Sequence, residues 1–130
     1  MVIDSSAIIA IAFDEPEAVR MAMAIANAPV RQMSALNWLE TLMVVEGRYG
    51  RTSADETLLI LRELNVESLP FNAAQMVEAR SAWQRFGKGR HPAALNMGDC
   101  CAYALASLTS QELLFKGGDF SKTDVQCAAW

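Results

Sequence analysis

The sequence predicts an α/β fold, a parallel sheet of four to five strands with helices on both faces. Three observations predict it. Short β-prone runs ("MVID", "VRQMS", "VESLPF", "ELLF") recur along the chain. Helix-length segments with caps and apolar faces stand between them, and that alternation is the signature of a parallel sheet. The chain has 130 residues without an internal repeat, a low-complexity tract or a linker. Residues 1–130 are therefore expected to form a single domain around one core.

"MVID" opens the chain as a short strand ending in Asp4. It carries no leader, so Met1 is expected to form part of the folded edge. "SSAIIAIAF" follows, with Ser5 or Ser6 placed to cap a helix. "DEPEAVRMAMAIANA" reads as helical. Pro16 and a set of acids lie near its start, Ala-rich apolar positions recur behind them, and Pro29 ends it. "VRQMS" is the second strand. "SALNWLETLMVVEGRYG" is a helix capped by Ser34, with Leu36, Leu39, Met43 and Val44 on one face. Gly47 and Gly50 weaken its end. "TSADETLLILRELN" is the next helix, with Thr52 or Ser53 as cap and Glu56 placed for a capping box. "VESLPF" is a strand stopped by Pro70. "NAAQMVEARSAWQRFGKG" is a helix running from an Asn72 cap to a stop at Gly87. "KGRHPAALN" is a basic loop, and "MGDCCAYALASLTS" is a helix that is small and apolar along much of its length. "ELLF" is the fourth strand, and "VQCAAW" offers a last one.

The composition is globular, 52% hydrophobic and 20% charged. A formal net charge of −4 argues against binding nucleic acid through bulk positive charge. It leaves open an acidic enzyme that accepts phosphate through a metal. "AIIAIAF" is too short to span a membrane, is closed by Asp14 and Glu15, and lacks a basic n-region. Three cysteines, two of them adjacent, suit reduced thiols in a cytoplasm better than a disulfide framework. His91 is the only histidine. No Cys/His set has zinc-site spacing, and no nucleophile elbow accompanies His91.

Ligands of parallel sheets bind beyond the carboxyl ends of the strands. Asp4 ends the first strand, and Asp119, in "LLFKGGDF", follows the fourth. Glu40 lies in the second turn of the helix after the second strand, and Asp99 opens the helix "GDCCAYALA". Each also has an ordinary structural use. Asp4 can cap the next segment, Glu40 can be a solvated helical charge, Asp99 can complement a helix dipole, and Asp119 can be a turn residue after two glycines. Glu46, Glu56, Glu63, Glu67 and Glu78 read as solvated charges. Four carboxylates converging at one sheet edge repel one another and call for a cation. Oxygen donors of this kind select Mg²⁺ or Mn²⁺ over zinc or copper. Carboxylate-held metal is a standard apparatus for phosphodiester hydrolysis.

The segments "MVIDSSAIIAIAFDEPEA", "SALNWLE", "FGKGRHPAALNMGDCCAYALA" and "LLFKGGDFSKTDV" resemble, in order and spacing, the VapC-type PIN-domain ribonuclease toxins of type II (VapBC) toxin–antitoxin modules. The resemblance runs end to end. It implies a PIN fold, with a twisted parallel sheet between helices, across residues 1–130. It implies that Asp4, Glu40, Asp99 and Asp119 are the four acids of a catalytic metal site. Asp4 and Asp99 would be Mg²⁺ ligands, Glu40 would bind metal directly or through water, and Asp119 would complete the pocket. Asp124 matches a less regular acidic position and ranks below them. Ser5 matches a small hydroxyl position that orients Asp4 or binds a water. Gly118 departs from the polar or acidic residue many relatives carry, and leaves Asp119 in place.

The implied activity is a Mg²⁺-dependent endoribonuclease acting on RNA such as tRNA or rRNA, with Mn²⁺ able to substitute. The implied partners are a cognate VapB-type antitoxin that neutralises the toxin, a second copy in a homodimer, with a heterotetramer or larger assembly when the antitoxin is bound, and an RNA substrate in the cytoplasm, with no membrane. Lys88, Arg90, His91 and Lys116, with Lys122, are candidates for RNA phosphate contacts or ordinary surface charges. Trp38, Trp83 and Phe86 offer stacking surfaces, or core and dimer contacts. Two alternatives stay open: a catalytically inactive PIN-like module that binds RNA or protein, and a DNA- or structure-specific nuclease.

Overall fold

The computed structural model describes residues 1–130. Four strands, β1 (Val2–Ile3), β2 (Gln32–Ser34), β3 (Glu67–Leu69) and β4 (Leu113–Leu114), form one sheet in the order β3-β2-β1-β4. Every pair is parallel, with Val2 opposite both Gln32 and Leu113. Six helices flank it: α1 (Ser5–Ala12), α2 (Ala18–Asn27), α3 (Ala35–Tyr49), α4 (Arg51–Glu63), α5 (Ala73–Phe86) and α6 (Met97–Thr109). The expected fold class is the observed one.

Side chains alternate across a strand, so a strand buried on both faces must be apolar at every position. Val2, Ile3, Leu113 and Leu114 are all fully buried. Val2 and Leu113 pack with Ala79 and Ala82 of α5 and with Cys100 and Ala102 to Ala106 of α6. Ile3 and Leu114 face the other way, onto Ala7 and Ile8 of α1, Met21 and Ile25 of α2 and Leu61 of α4. The two central strands thus separate two apolar layers. Their carboxyl ends deliver Asp4 and the Lys116–Asp119 turn to one edge.

Caps set several boundaries. Ser34 Oγ accepts from the Leu36 N–H at 3.3 Å and Asn72 Oδ1 from the Gln75 N–H at 3.0 Å, as expected from sequence. Several expectations need correction. Asp4, and not Ser5 or Ser6, caps the first helix. The second helix begins at Ala18, not Asp14, because Asp14 sits at φ 50° and the chain turns through Pro16 first. The fourth helix is entered from Gly50, not from a Thr52 or Ser53 cap. Gly50 at φ 85° is both the end of α3 and the start of α4, so no room is left for a separate cap. The last strand in "VQCAAW" shrinks to one parallel bridge, Leu113 to Cys127. No helix is long and apolar enough to cross a membrane.

Candidate active site

Asp4 is 3% exposed at the end of β1. It caps α1, the ordinary use the sequence allowed, and Ser6 holds it there. The Ser6 N–H (2.9 Å) and Ser6 hydroxyl (2.6 Å) both donate to Asp4 Oδ2. Ser6 Oγ in turn accepts the Lys116 N–H at 3.0 Å, which ties the carboxylate to the chain leaving β4. Asp4 Oδ1 is buried and has no hydrogen-bond partner. Burial pushes the Asp4 carboxyl up to about 6, with the charges of Asp99 and Glu40 adding to the effect against the Ser6 hydrogen bonds.

Ser5 does something other than orient Asp4. Its hydroxyl lies 2.5 Å from Glu40 Oε2 and accepts the Asn37 Nδ2–H at 3.2 Å. Glu40 reaches the start of α6, where a Cβ on Gly98 would stand 2.5 Å from Glu40 Oε1 and 2.7 Å from Cδ. Only a glycine at 98 leaves that volume to the carboxylate. Asp99 completes a capping box: the Asn96 N–H donates to Asp99 Oδ2 at 2.8 Å while Asn96 Oδ1 accepts the Asp99 N–H. Its carboxyl is raised by desolvation, and by the charges of Glu40 and Asp119 against the Asn96 hydrogen bond. Asp119 stands at the rim, 60% exposed, with Lys122 Nζ 3.6 Å from Oδ1.

Asp4 thus feels the charges of Asp99 and Glu40, and Asp99 those of Glu40 and Asp119. Asp4, Glu40 and Asp99 each have one oxygen engaged by a neighbour within the protein. No three acidic, His or Cys side chains converge tightly enough to cage an ion by themselves. Mg²⁺ does not require such a cage, because it binds through one or two carboxylates and keeps water or substrate phosphate for its other positions. The unpaired Asp4 Oδ1 and the all-oxygen donor set fit such a cation.

Asp124 lies outside this group. Its Oδ1 accepts from the Tyr103 hydroxyl at 2.6 Å, and its Oδ2 pairs with Arg85. The Tyr103 hydrogen bond, followed by Arg85, holds its carboxyl below the usual range. Lys116 Nζ is engaged by Glu15 (2.5 Å) and Glu17 (3.2 Å), so the structure directs that ammonium away from the role of a free phosphate contact. Lys88 and Arg90 are exposed on the loop after α5, where Arg90 stacks 3.9 Å over Trp83. His91 Nδ1 accepts the Ala93 N–H, and the ring packs edge-on against Phe86. Trp38 is half-buried against the α1–α2 side of the core, while Trp83 is 42% exposed.

Sequence reasoning missed Ser6, Asn37 and Gly98. Each left a trace. Ser6 follows Asp4 at the spacing of a side-chain turn. On α3 the buried positions are Asn37, Thr41 and Val45, while Leu39, Met43 and Val44 of the expected apolar face are exposed, so the polar residues and not that apolar face mark the side turned inward. Gly98 interrupts the first turn of α6, where propensity alone disfavours it.

The chain matches the family model described as "PIN domain" over residues 1–126. It is 49% identical to a ribonuclease VapC of Mycolicibacterium smegmatis over 125 residues, covering 96% of this chain and 97% of that protein. It is 44% identical to ribonuclease VapC30 of Mycobacterium tuberculosis over 129 residues, covering 99% and 98%. Among solved structures, its fold is similar to VapC20 of M. tuberculosis, a sarcin–ricin loop cleaving toxin. The TM-score is 0.78 at 18% identity, with 95% of each chain covered. A chain of a toxin–antitoxin complex from Klebsiella pneumoniae has a TM-score of 0.69 at 16% identity, covering 95% and 92%. With a parallel sheet that brings acids to one edge, and relatives this similar over nearly their whole length, the chain belongs to the PIN-domain family, among the VapC ribonucleases.

Proposed function

We propose that this protein is a Mg²⁺-dependent endoribonuclease and the toxin of a type II toxin–antitoxin module. In this reading Asp4, Glu40, Asp99 and Asp119 are its catalytic carboxylates. The observation that carries the proposal is the Asp4 carboxyl. It is buried, has one oxygen without a partner, and faces the charges of Asp99 and Glu40. A fold does not keep such a group for stability, because burial of an unpaired charge costs several kcal/mol unless a ligand offsets it. The VapC relatives supply the substrate class.

Asp4 and Asp99 would hold the cation, Glu40 would bind it directly or through water, and Asp119 would close the rim. Bound there, Mg²⁺ or Mn²⁺ supplies activation of the attacking water and stabilisation of the charge gathering on the phosphate. Ser6 fixes Asp4 through Oδ2 and leaves Oδ1 free. The Asn96–Asp99 capping box fixes Asp99 in the same way, through one oxygen. Lys88, Arg90 and His91 contribute local contacts to the RNA backbone. Lys116 contributes by closing the Glu15–Glu17 side instead. A structured RNA fits the description of the M. tuberculosis structural neighbour as a sarcin–ricin loop cleaving toxin. The partner in this reading is a cognate VapB-type antitoxin, and the working form is a cytoplasmic homodimer.

Purified protein is expected to cut RNA only with Mg²⁺ or Mn²⁺, and to stop on chelation. Asp4→Asn and Asp99→Asn should each abolish cleavage with the circular dichroism spectrum unchanged. Cleavage that survives chelation, or that both variants retain in full, contradicts the proposed site.

A further inference from the structure

Asn37 is fully buried on α3, and three acceptors surround its Nδ2. Its two protons serve Gly98 O at 3.0 Å and Ser5 Oγ at 3.2 Å, with Glu40 Oε2 a longer third acceptor at 3.4 Å that shares one of them. That set fixes the orientation of the amide, since an oxygen turned to the same place would meet a carbonyl and a carboxylate. The three partners come from three helices: α1, α3 itself and α6. Two of them adjoin proposed catalytic acids, Ser5 next to Asp4 and Gly98 next to Asp99. The third is Glu40.

Geometry explains why a tie is needed there. Glu40 Oε1 and Cδ occupy the volume that any side chain at 98 would fill. A carboxylate that close to the first turn of α6 must be held from its own helix, or it swings out toward solvent. Asn37 stands one turn before Glu40 and shares its helix face. Ser5 cannot supply the tie alone. Its single proton has two acceptors in reach, Glu40 Oε2 at 2.5 Å and Asn37 O at 3.1 Å, while its own oxygen accepts from Asn37 Nδ2. Thr41 Oγ1 donates to Asn37 O at 2.8 Å and reinforces the same turn of α3.

We propose that Asn37 is a positioning residue, whose amide pins the Glu40 carboxylate between Ser5 and the Gly98 carbonyl and so sets its place beside Asp4 and Asp99. This rests on the reading that those acids form the metal site. Outer partners of ligating carboxylates typically change metal affinity or activity by about 10–100-fold when removed. Asn37 is expected in that range.

A double-mutant cycle tests it, with Mn²⁺ binding followed by titration calorimetry and RNA cleavage in parallel. The four proteins are wild type, Asn37→Ala, Glu40→Gln and the double variant. Asn37→Ala alone should weaken Mn²⁺ binding and lower kcat by about 10–100-fold, with KM for RNA nearly unchanged. In the Glu40→Gln background the same change should alter Mn²⁺ affinity by less than about threefold, because the group it acts through is gone. Equal losses in both backgrounds, or no loss from Asn37→Ala, overturn the role of Asn37. Asn37→Ser replaces Asn37→Ala if the alanine variant does not fold. An independent readout leaves position 37 untouched: the Asn37 side-chain amide protons should shift in the NMR spectrum between wild type and Glu40→Gln. Signals that do not move overturn the contact. Failure of wild type to bind Mn²⁺ in an Asp4-dependent manner would instead strike the nuclease reading, and the amide signals would still decide the contact.

Discussion

At the carboxyl end of the sheet, Asp4 meets the charges of Asp99 and Glu40, and its only hydrogen-bond donor is Ser6. Where the C-terminal segment meets α5 and α6, Asp124 lies between Arg85 and Tyr103 with both oxygens engaged. The two carboxyls shift in opposite directions, Asp4 up to about 6 and Asp124 below the ordinary range. The second region is complete as it stands. It fastens the segment after Asp119 to two helices and needs nothing from outside. The first is held together by neighbours that orient the acids without neutralising them. Geometry without neutralisation is what a site for a cation requires, and neutralisation by the protein's own arginine is what a structural latch requires.

The largest break in this comparison comes from Asp4→Asn. Cleavage should fall by more than about 100-fold, beyond the usual range for an outer partner. The metal-free protein should at the same time become more stable. The carboxyl is raised from 3.8 to about 6, so ionised Asp4 opposes folding by on the order of 3 kcal/mol. Asparagine caps the helix equally well. Thermal unfolding in chelator, beside a cleavage assay, should show a higher midpoint and no activity. A lower midpoint would mean that Asp4 serves the fold.

Gly98→Ala comes next. The new methyl meets the end of a flexible Glu40 side chain, not backbone, so the fold should survive within about 1 kcal/mol. Displaced Glu40 should lower cleavage by about 10–100-fold. Paired melting curves and rates on one preparation separate these effects.

The pH dependence sharpens the contrast further. A raised folded value means that metal-free stability contributed by Asp4 falls as pH rises from 3.8 to about 6. Metal needs the ionised form, so Mn²⁺ affinity should drop by up to about tenfold per pH unit below about 6. Asp124 has the opposite sign. Its stabilisation is present above the ordinary carboxylate range and is lost as pH falls through its depressed value.

The smallest effect belongs to Asp124→Asn. Both members of its ion pair are about half-exposed. Stability should fall by only about 1 kcal/mol, read from urea unfolding, and cleavage should stay within about threefold of wild type.

The fold was legible because β1 and β4 are apolar at every position and helices alternate with strands. Both follow from a parallel sheet buried on two faces. Helix boundaries were legible where a side chain caps, as at Ser34 and Asn72. They were missed where backbone alone turns the chain, as at Asp14 and Gly50. The proposed acids could be picked out because the end of a strand and the start of a helix are positions a sequence marks. What holds them was harder to see. Ser5 and Ser6 are equivalent in sequence, yet Ser6 bonds Asp4 while Ser5 crosses to Glu40. Asn37 and Gly98 meet across 61 residues, a separation no local pattern encodes. Lys116 looked like a phosphate contact because Glu15 and Glu17 are about a hundred residues away in sequence and adjacent in space.

The most direct measurement is Mn²⁺ titration calorimetry at neutral pH on three metal-free proteins: wild type, Asp4→Asn and Asp124→Asn. The account predicts similar binding to wild type and Asp124→Asn, with none to Asp4→Asn. Undiminished binding to Asp4→Asn, or its loss in a folded Asp124→Asn protein, would contradict the division between an unneutralised site and a self-neutralised latch.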